Sequence, residues 1–171
     1  MSEYIWMPEK VNAMRRKDRE VTEPSRLREL IEACSCCRLG LWDGKEVYIV
    51  PMNFGWSWEG ERLRLYFHSA AEGRKIELLR ARPEVSFEMD TGHSLLAGQQ
   101  ACGYSFAYRC LMGTGRAEIL EDPAARRYAM GRIMAHYTGK SGWDYRPALL
   151  EKTALFCVTA ECLSAKENPA L

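Results

Sequence analysis

From Cys37 to Met52 the chain alternates apolar and polar residues around a two-residue turn, and this hairpin signature constrains its fold more than any other feature. Cys37, Leu39 and Leu41 are separated by Arg38 and Gly40, so the apolar side chains fall on one face of a strand. Asp43-Gly44 follows, and both positions tolerate the positive φ that tight hairpin turns need. The returning strand is Glu46 to Met52, with Val47, Tyr48, Ile49 and Val50. A loop at Trp56 to Gly60 leads to a third strand, Arg62 to His68, where Leu63, Leu65 and Phe67 face one way. Glu84 to Asp90 is a fourth strand and alternates Val85, Phe87 and Met89. Tyr108 to Leu120 is a fifth, whose Gly113 and Gly115 predict a bend or the close approach of another backbone. Thr153 to Cys162 is the sixth. Strands in hairpin succession predict an antiparallel sheet, and closing it into a barrel removes exposed edges.

Helical signals punctuate this pattern. Thr22 or Glu23 can cap a first helix with Pro24 in its first turn, and Leu27, Leu30, Ile31 and Cys34 recur at helical spacing. Gly73 to Arg82 reads as a short helix stopped by Pro83. Asp122-Pro123 opens a longer one reaching about Tyr137. Thr91 to Ala107 shows no periodicity and reads as a long loop. The expected organisation is an arm over residues 1–20, one domain over 21–165 and a tail over 166–171.

A formal net charge of +1 gives no bulk attraction to nucleic acid or anionic membrane. The cluster Arg15-Arg16-Lys17 with Arg19 reads as a solvated arm or a subunit contact. No apolar run spans a bilayer, and Met1 to Lys10 lack the order of a signal peptide, so a cytoplasmic protein is expected. Seven cysteines cannot all pair within one chain and suit a reducing compartment. Cys34 and Cys37 have a C-x-x-C spacing, but no second pair follows to complete a zinc site. Cys37, Cys110 and Cys157 read as small apolar residues on strands. Trp56, Trp58 and Trp143 either cover a ligand or interface or simply anchor loops.

The segment Leu65-Tyr66-Phe67-His68-Ser69-Ala70-Ala71-Glu72-Gly73-Arg74-Lys75 carries the most chemistry. A strand ends in a hydroxyl residue and a helix begins with two cations. Unpaired N–H groups at the helix start, with Ser69, Arg74 and Lys75, make a compact anion site. The alternative is two ordinary surface charges. His68 is a candidate proton-transfer group, or a surface histidine at a strand end. His93 and His136 carry no such signal.

The order of these elements resembles the pyridoxamine-phosphate-oxidase-like flavoproteins, and within them the nitroimidazole-resistance (Nim) group. The matching residues are Met14-Arg15-Arg16-Lys17-Asp18-Arg19-Glu20, Cys37-Arg38-Leu39-Gly40-Leu41, Val50-Pro51-Met52-Asn53-Phe54-Gly55 and Leu65-Tyr66-Phe67-His68-Ser69-Ala70. Tyr108-Arg109-Cys110-Leu111-Met112-Gly113-Thr114-Gly115-Arg116-Ala117-Glu118 completes the set. The resemblance implies a mainly β, six-stranded antiparallel split β-barrel with flanking helices, and FMN at a homodimer interface. It implies that Val50, Pro51, Met52, Asn53 and Phe54 run beside the flavin ring. It assigns Phe67, His68, Arg74 and Lys75 to ribityl and phosphate, and turns Arg109 and Cys110 toward the cofactor. It also makes His68 the catalytic candidate near flavin and substrate. No metal is expected.

True pyridoxamine-phosphate oxidases carry an Arg-x-His signature near the C-terminus. Cys162-Leu163-Ser164-Ala165-Lys166-Glu167-Asn168-Pro169-Ala170-Leu171 contains none, so vitamin B6 oxidation is not expected. Besides a zinc-stabilised interaction protein built on Cys34 and Cys37, two functions remain open at this level. One is an FMN-dependent oxidoreductase acting on a small molecule such as a nitro-aromatic. The other is a non-catalytic flavin- or haem-binding or sensing module on the same barrel.

Overall fold

A computed structural model describes residues 14–60 and 62–168. Its element order is α1 (Pro24–Ala33), β1 (Cys37–Trp42), β2 (Val47–Met52), β3 (Phe54–Glu59), β4 (Arg62–Ala70), α2 (Arg74–Ala81), β5 (Glu84–Leu96), β6 (Ser105–Ile119), α3 (Pro123–Thr138), α4 (Pro147–Glu151) and β7 (Thr153–Asn168). All strands join one antiparallel sheet in the order β2-β1-β5-β6-β7-β4-β3. The two edge strands are consecutive in the chain and separated only by Asn53, so the sheet curls until its edges meet at that corner. Beyond the corner β2 and β3 make no ladder with each other, and the barrel stays split.

The fold is mainly β with flanking helices, as expected, with seven strands rather than six. The additional strand is β3, read from sequence as a loop from Trp56 onward. Its alternation is hidden because both faces are covered. Phe54 points into the barrel, while Gly55 lies against α3 so closely that an added Cβ would sit 2.3 Å from the Arg132 carbonyl carbon. The expected loop over residues 91–107 is also strand for much of its length. β5 continues to Leu96 and β6 starts at Ser105, with a register shift between Thr91 and Ser94. This extension of the hairpin leaves most side chains exposed, so no core-facing period marks it.

Residues 1–13 of the expected arm lie outside the described residues. Its remainder is not free: Glu20 bridges to Lys166, and the Val21 N–H donates to the Ala165 carbonyl at 2.9 Å. The expected tail at 166–168 is strand, paired with β6 through Tyr108 and Asn168; residues 169–171 lie outside the described residues.

Leu39, Leu41, Leu63, Leu65, Phe67, Phe87, Met89, Leu111, Phe156 and Val158 fill the barrel. Gly113 and Gly115 allow β6 to approach its neighbours: a Cβ at either would sit 2.3–2.4 Å from the Cys162 or Thr159 carbonyl oxygen. A second cluster, Tyr66, Leu155, Cys157, Ala129 and Ile133, lies between α3 and the outer faces of β4 and β7. Asp122 caps α3 by accepting from the Ala125 N–H at 2.8 Å. Among the described residues no helix is long and apolar enough to cross a membrane.

Candidate functional site

The split between β2 and the end of β4 gathers the chemistry. β4 pairs with β3 only as far as Phe67, so His68 to Ala70 run past the start of β3. β2 is an edge strand, and alternate backbone N–H and C=O groups along it face away from β1. α2 follows β4 directly, and Gly73 takes the positive φ of +118° needed to turn the chain into it. No side chain caps the start of α2, so its first N–H groups point outward without a side-chain acceptor.

Lys75 reaches across this gap. Its Nζ lies 3.0 Å from the Met52 sulfur, and it pairs with no carboxylate among the described residues. Burial lowers its pKa, which reports an ammonium that is half desolvated and lacks a compensating anion. His68 is exposed overall, yet partial desolvation and then the Lys75 charge hold its imidazole below the ordinary range. Ser69 donates to the neighbouring Ala70 carbonyl at 2.7 Å.

Arg74 stands beside this pair in a different environment. Its Nη2 donates to Asp43 at 2.7 Å and to Glu46 at 3.3 Å, and its guanidinium lies 4.6 Å from the Tyr48 ring centroid. Asp43 also accepts the Lys45 and Glu46 N–H groups at 2.8 Å each. Those backbone donors, followed by Arg74, hold the Asp43 carboxyl at about 2. The sequence marked Asp43 only as a turn former and gave Tyr48 no role beyond its strand.

The remaining expected site residues are spread more widely. Val50 is half-buried against the core, while Pro51 and Asn53 are exposed on the corner. Phe54 is interior, with its N–H donated to the Tyr137 hydroxyl at 3.1 Å. Phe67 is also interior and stacks on Phe156 with centroids 5.1 Å apart, so what it can offer a ligand is backbone. Arg109 and Cys110 sit on β6, opposite Thr91 and Asp90 on one side and Glu167 and Lys166 on the other. Three strand spacings separate β6 from β2, about 14 Å along the sheet. Arg109 lines a separate hollow of about 240 Å³ with Arg26, Tyr108 and Asn168. Burial raises the Cys110 pKa.

Cys34 and Cys37 are buried, and burial pushes the Cys34 thiol up to about 12 and the Cys37 thiol higher still. Among the described residues no three metal-ligating side chains cluster. His136 is a packing residue: its ring is 2% exposed, lies 4.5 Å from Phe54 and bonds the Cys34 carbonyl at 2.8 Å. Trp56 donates to Glu32 at 3.0 Å and Trp143 to the Lys140 carbonyl at 3.2 Å, so both anchor local structure.

The outer face of β2, β1, β5, β6 and β7 carries a broad groove of about 670 Å³, lined by Val47, Ile49, Phe87, Met112 and Leu163 with Arg38 at one side. Val47 is 60% and Ile49 63% exposed, which is unusual for large apolar residues on a strand.

A family model described as pyridoxamine 5'-phosphate oxidase matches residues 23–167. Among solved structures, a candidate 5-nitroimidazole antibiotic resistance protein from Bacteroides thetaiotaomicron is 31% identical, with a TM-score of 0.75 and 86% of each chain covered. An FAD-binding protein from Mesorhizobium loti is 25% identical, with a TM-score of 0.61, covering 88% of this chain and 97% of the other. A flavocytochrome from Azotobacter vinelandii shares the fold at 16% identity and a TM-score of 0.76, covering 95% of this chain and 75% of the other. No curated protein matches by sequence.

Proposed function

We propose, because the chain belongs to the pyridoxamine 5'-phosphate oxidase family, that it binds FMN in the split beside β2 and serves as an oxidoreductase for a small nitro-aromatic molecule. The observation that carries the binding half is Lys75, an ammonium half-desolvated against a thioether with no carboxylate partner among the described residues. A phosphate would neutralise this charge. The donor set fits one: Lys75 supplies a point charge, Arg74 the N–H groups that Asp43 and Glu46 leave free, Ser69 a hydroxyl and α2 its uncapped N–H groups. The edge backbone of Val50 to Asn53 offers N–H and C=O groups to a flavin ring, apart from Pro51, which has no N–H.

A bound flavin supplies the hydride and electron transfer. The chain's own residues position it and control charge around it. His68, whose pKa is lowered by partial desolvation and the Lys75 charge, can accept a proton or hydrogen-bond a ligand at the strand end. Two copies would pack through the outer groove, since Val47, Ile49 and Met112 gain most by leaving water there. Arg109 and Cys110, three strands from β2 along the sheet, would then act on the partner copy's cofactor. The 31% identical Bacteroides protein supports the nitro-aromatic substrate class.

The test is anaerobic. FMN-loaded protein is photoreduced and mixed with a 5-nitroimidazole. Reoxidation of the flavin with matching loss of the nitro compound is expected. A flavin that binds and stays reduced against a panel of nitro compounds would leave a binding module without this activity.

A further inference from the structure

Arg74 differs from Lys75 in one respect that the flavin reading leaves unexplained. A half-exposed arginine on a surface helix ordinarily samples many rotamers. Here three contacts fix it, and every hydrogen bond falls on the same nitrogen. Asp43 Oδ2 and Glu46 Oε1 both accept from Nη2, while the Tyr48 ring supports the guanidinium from the edge strand. Nε and Nη1 have no partner among the described residues. Asp43 is itself held in place, because its other oxygen accepts two backbone N–H groups of the β1–β2 turn.

We propose that Asp43 and Tyr48 are positioning residues that hold Arg74 by one nitrogen and one face, so that its Nε and Nη1 donors stand ready for the phosphate of the flavin. This rests on the flavin reading above. Each parallel N–H pair of a guanidinium includes Nη2, so the phosphate takes a single N–H, from Nε or from Nη1, and a guanidinium already oriented loses less freedom on binding. The hairpin turn of β1 and β2 thereby becomes part of the phosphate site, although neither residue touches the ligand. The opposite role is physically reasonable for two carboxylates near an anion: they would compete with the phosphate for Arg74 and repel it. The two roles differ in sign.

The experiment titrates flavin-free, full-length protein with FMN and with riboflavin, which lacks the phosphate, and reads quenching of flavin fluorescence. Asp43→Asn keeps an oxygen for the turn N–H groups and removes the charge facing Arg74. Tyr48→Leu removes the supporting ring. Each substitution is expected to weaken FMN binding about tenfold, the worth of one charge-assisted hydrogen bond, and to leave riboflavin binding unchanged. Tyr48→Phe, which keeps the ring, restores the affinity lost in Tyr48→Leu. Equal losses for both ligands would reduce these residues to supports of the turn. Tighter FMN binding by Asp43→Asn would make the carboxylate a competitor, and unchanged binding would remove it from the site; either overturns the proposal. If the wild-type chain binds neither ligand, the flavin reading itself fails and the proposal with it. If it binds both and Asp43→Asn behaves as wild type, only the positioning role fails.

Discussion

Replacing Lys75 by Met should move folding and flavin binding in opposite directions. Met keeps the length and most of the apolar stem that crosses from α2 to β2, and it places a thioether beside the Met52 sulfur in place of an ammonium. In the flavin-free chain the ammonium is partly desolvated, with no carboxylate among the described residues to offset the cost. Removing it should raise stability by up to about 1 kcal/mol, seen as a rise of roughly 2–4 °C in Tm for a chain of this size. Flavin binding should weaken for FMN and not for riboflavin. Losing one hydrogen bond to a charged group costs about 1.5–3 kcal/mol, or roughly 10- to 150-fold in Kd. The pH dependence has a definite sign. Burial lowers the pKa of Lys75 in the folded chain, so the unfolded chain keeps that proton to higher pH. Stability of the flavin-free chain therefore rises with pH across the alkaline range just below the ordinary lysine pKa, and Lys75→Met removes that rise. Calorimetry across this range and paired flavin titrations read all three effects. A variant that is less stable and loses both ligands equally would show Lys75 to be a structural cation, and the phosphate argument would be wrong.

Two other substitutions test the surroundings of the site. Gly55→Ala places a methyl group 2.3 Å from backbone atoms of Arg132 and Ile133, which no side-chain motion can relieve. It should cost about 1–3 kcal/mol as β3 or α3 shifts, measurable as a lower urea midpoint; a neutral effect would mean that α3 does not press on this strand. Ile49→Glu puts a charge in the exposed apolar face of β2 and should abolish the dimer proposed above in sedimentation velocity, with the monomer remaining folded by circular dichroism; a dimer that persists, or a wild-type chain that is monomeric, would exclude that face as the interface.

What the sequence makes legible follows from how many faces of each element are covered. β1 and the first half of β5 have one buried face and one exposed face, and β4 buries Leu63, Leu65 and Phe67 at alternate positions, so these residues with Leu39 and Phe87 announce the three strands. The helices are marked by Pro24, Pro83, Asp122 and Pro123, local residues whose effects need no tertiary context. β3 escapes detection because the barrel covers Phe54 on one side and α3 covers Gly55 and Ser57 on the other. The distal hairpin escapes for the opposite reason, with neither face consistently buried.

The site divides along the same line. Ser69, Arg74 and Lys75 lie close together in the sequence, and a strand end before a basic helix start is a local pattern. The Met52 contact with Lys75 spans 23 residues and the Asp43 contact with Arg74 spans 31, so both depend on how the sheet curls. Phe67 shows the converse limit. It lies within a matching motif, but the alternation of β4 directs its ring inward onto Phe156.

In the reading proposed above, the split beside β2 holds a flavin by its phosphate. Titrating flavin-free protein with FMN, and following both the visible absorbance bands and the fluorescence of the flavin, tests it most directly. Saturation at one FMN per chain is expected, with riboflavin bound more weakly. No change in either signal on adding FMN, or equal affinity for FMN and riboflavin, would contradict it.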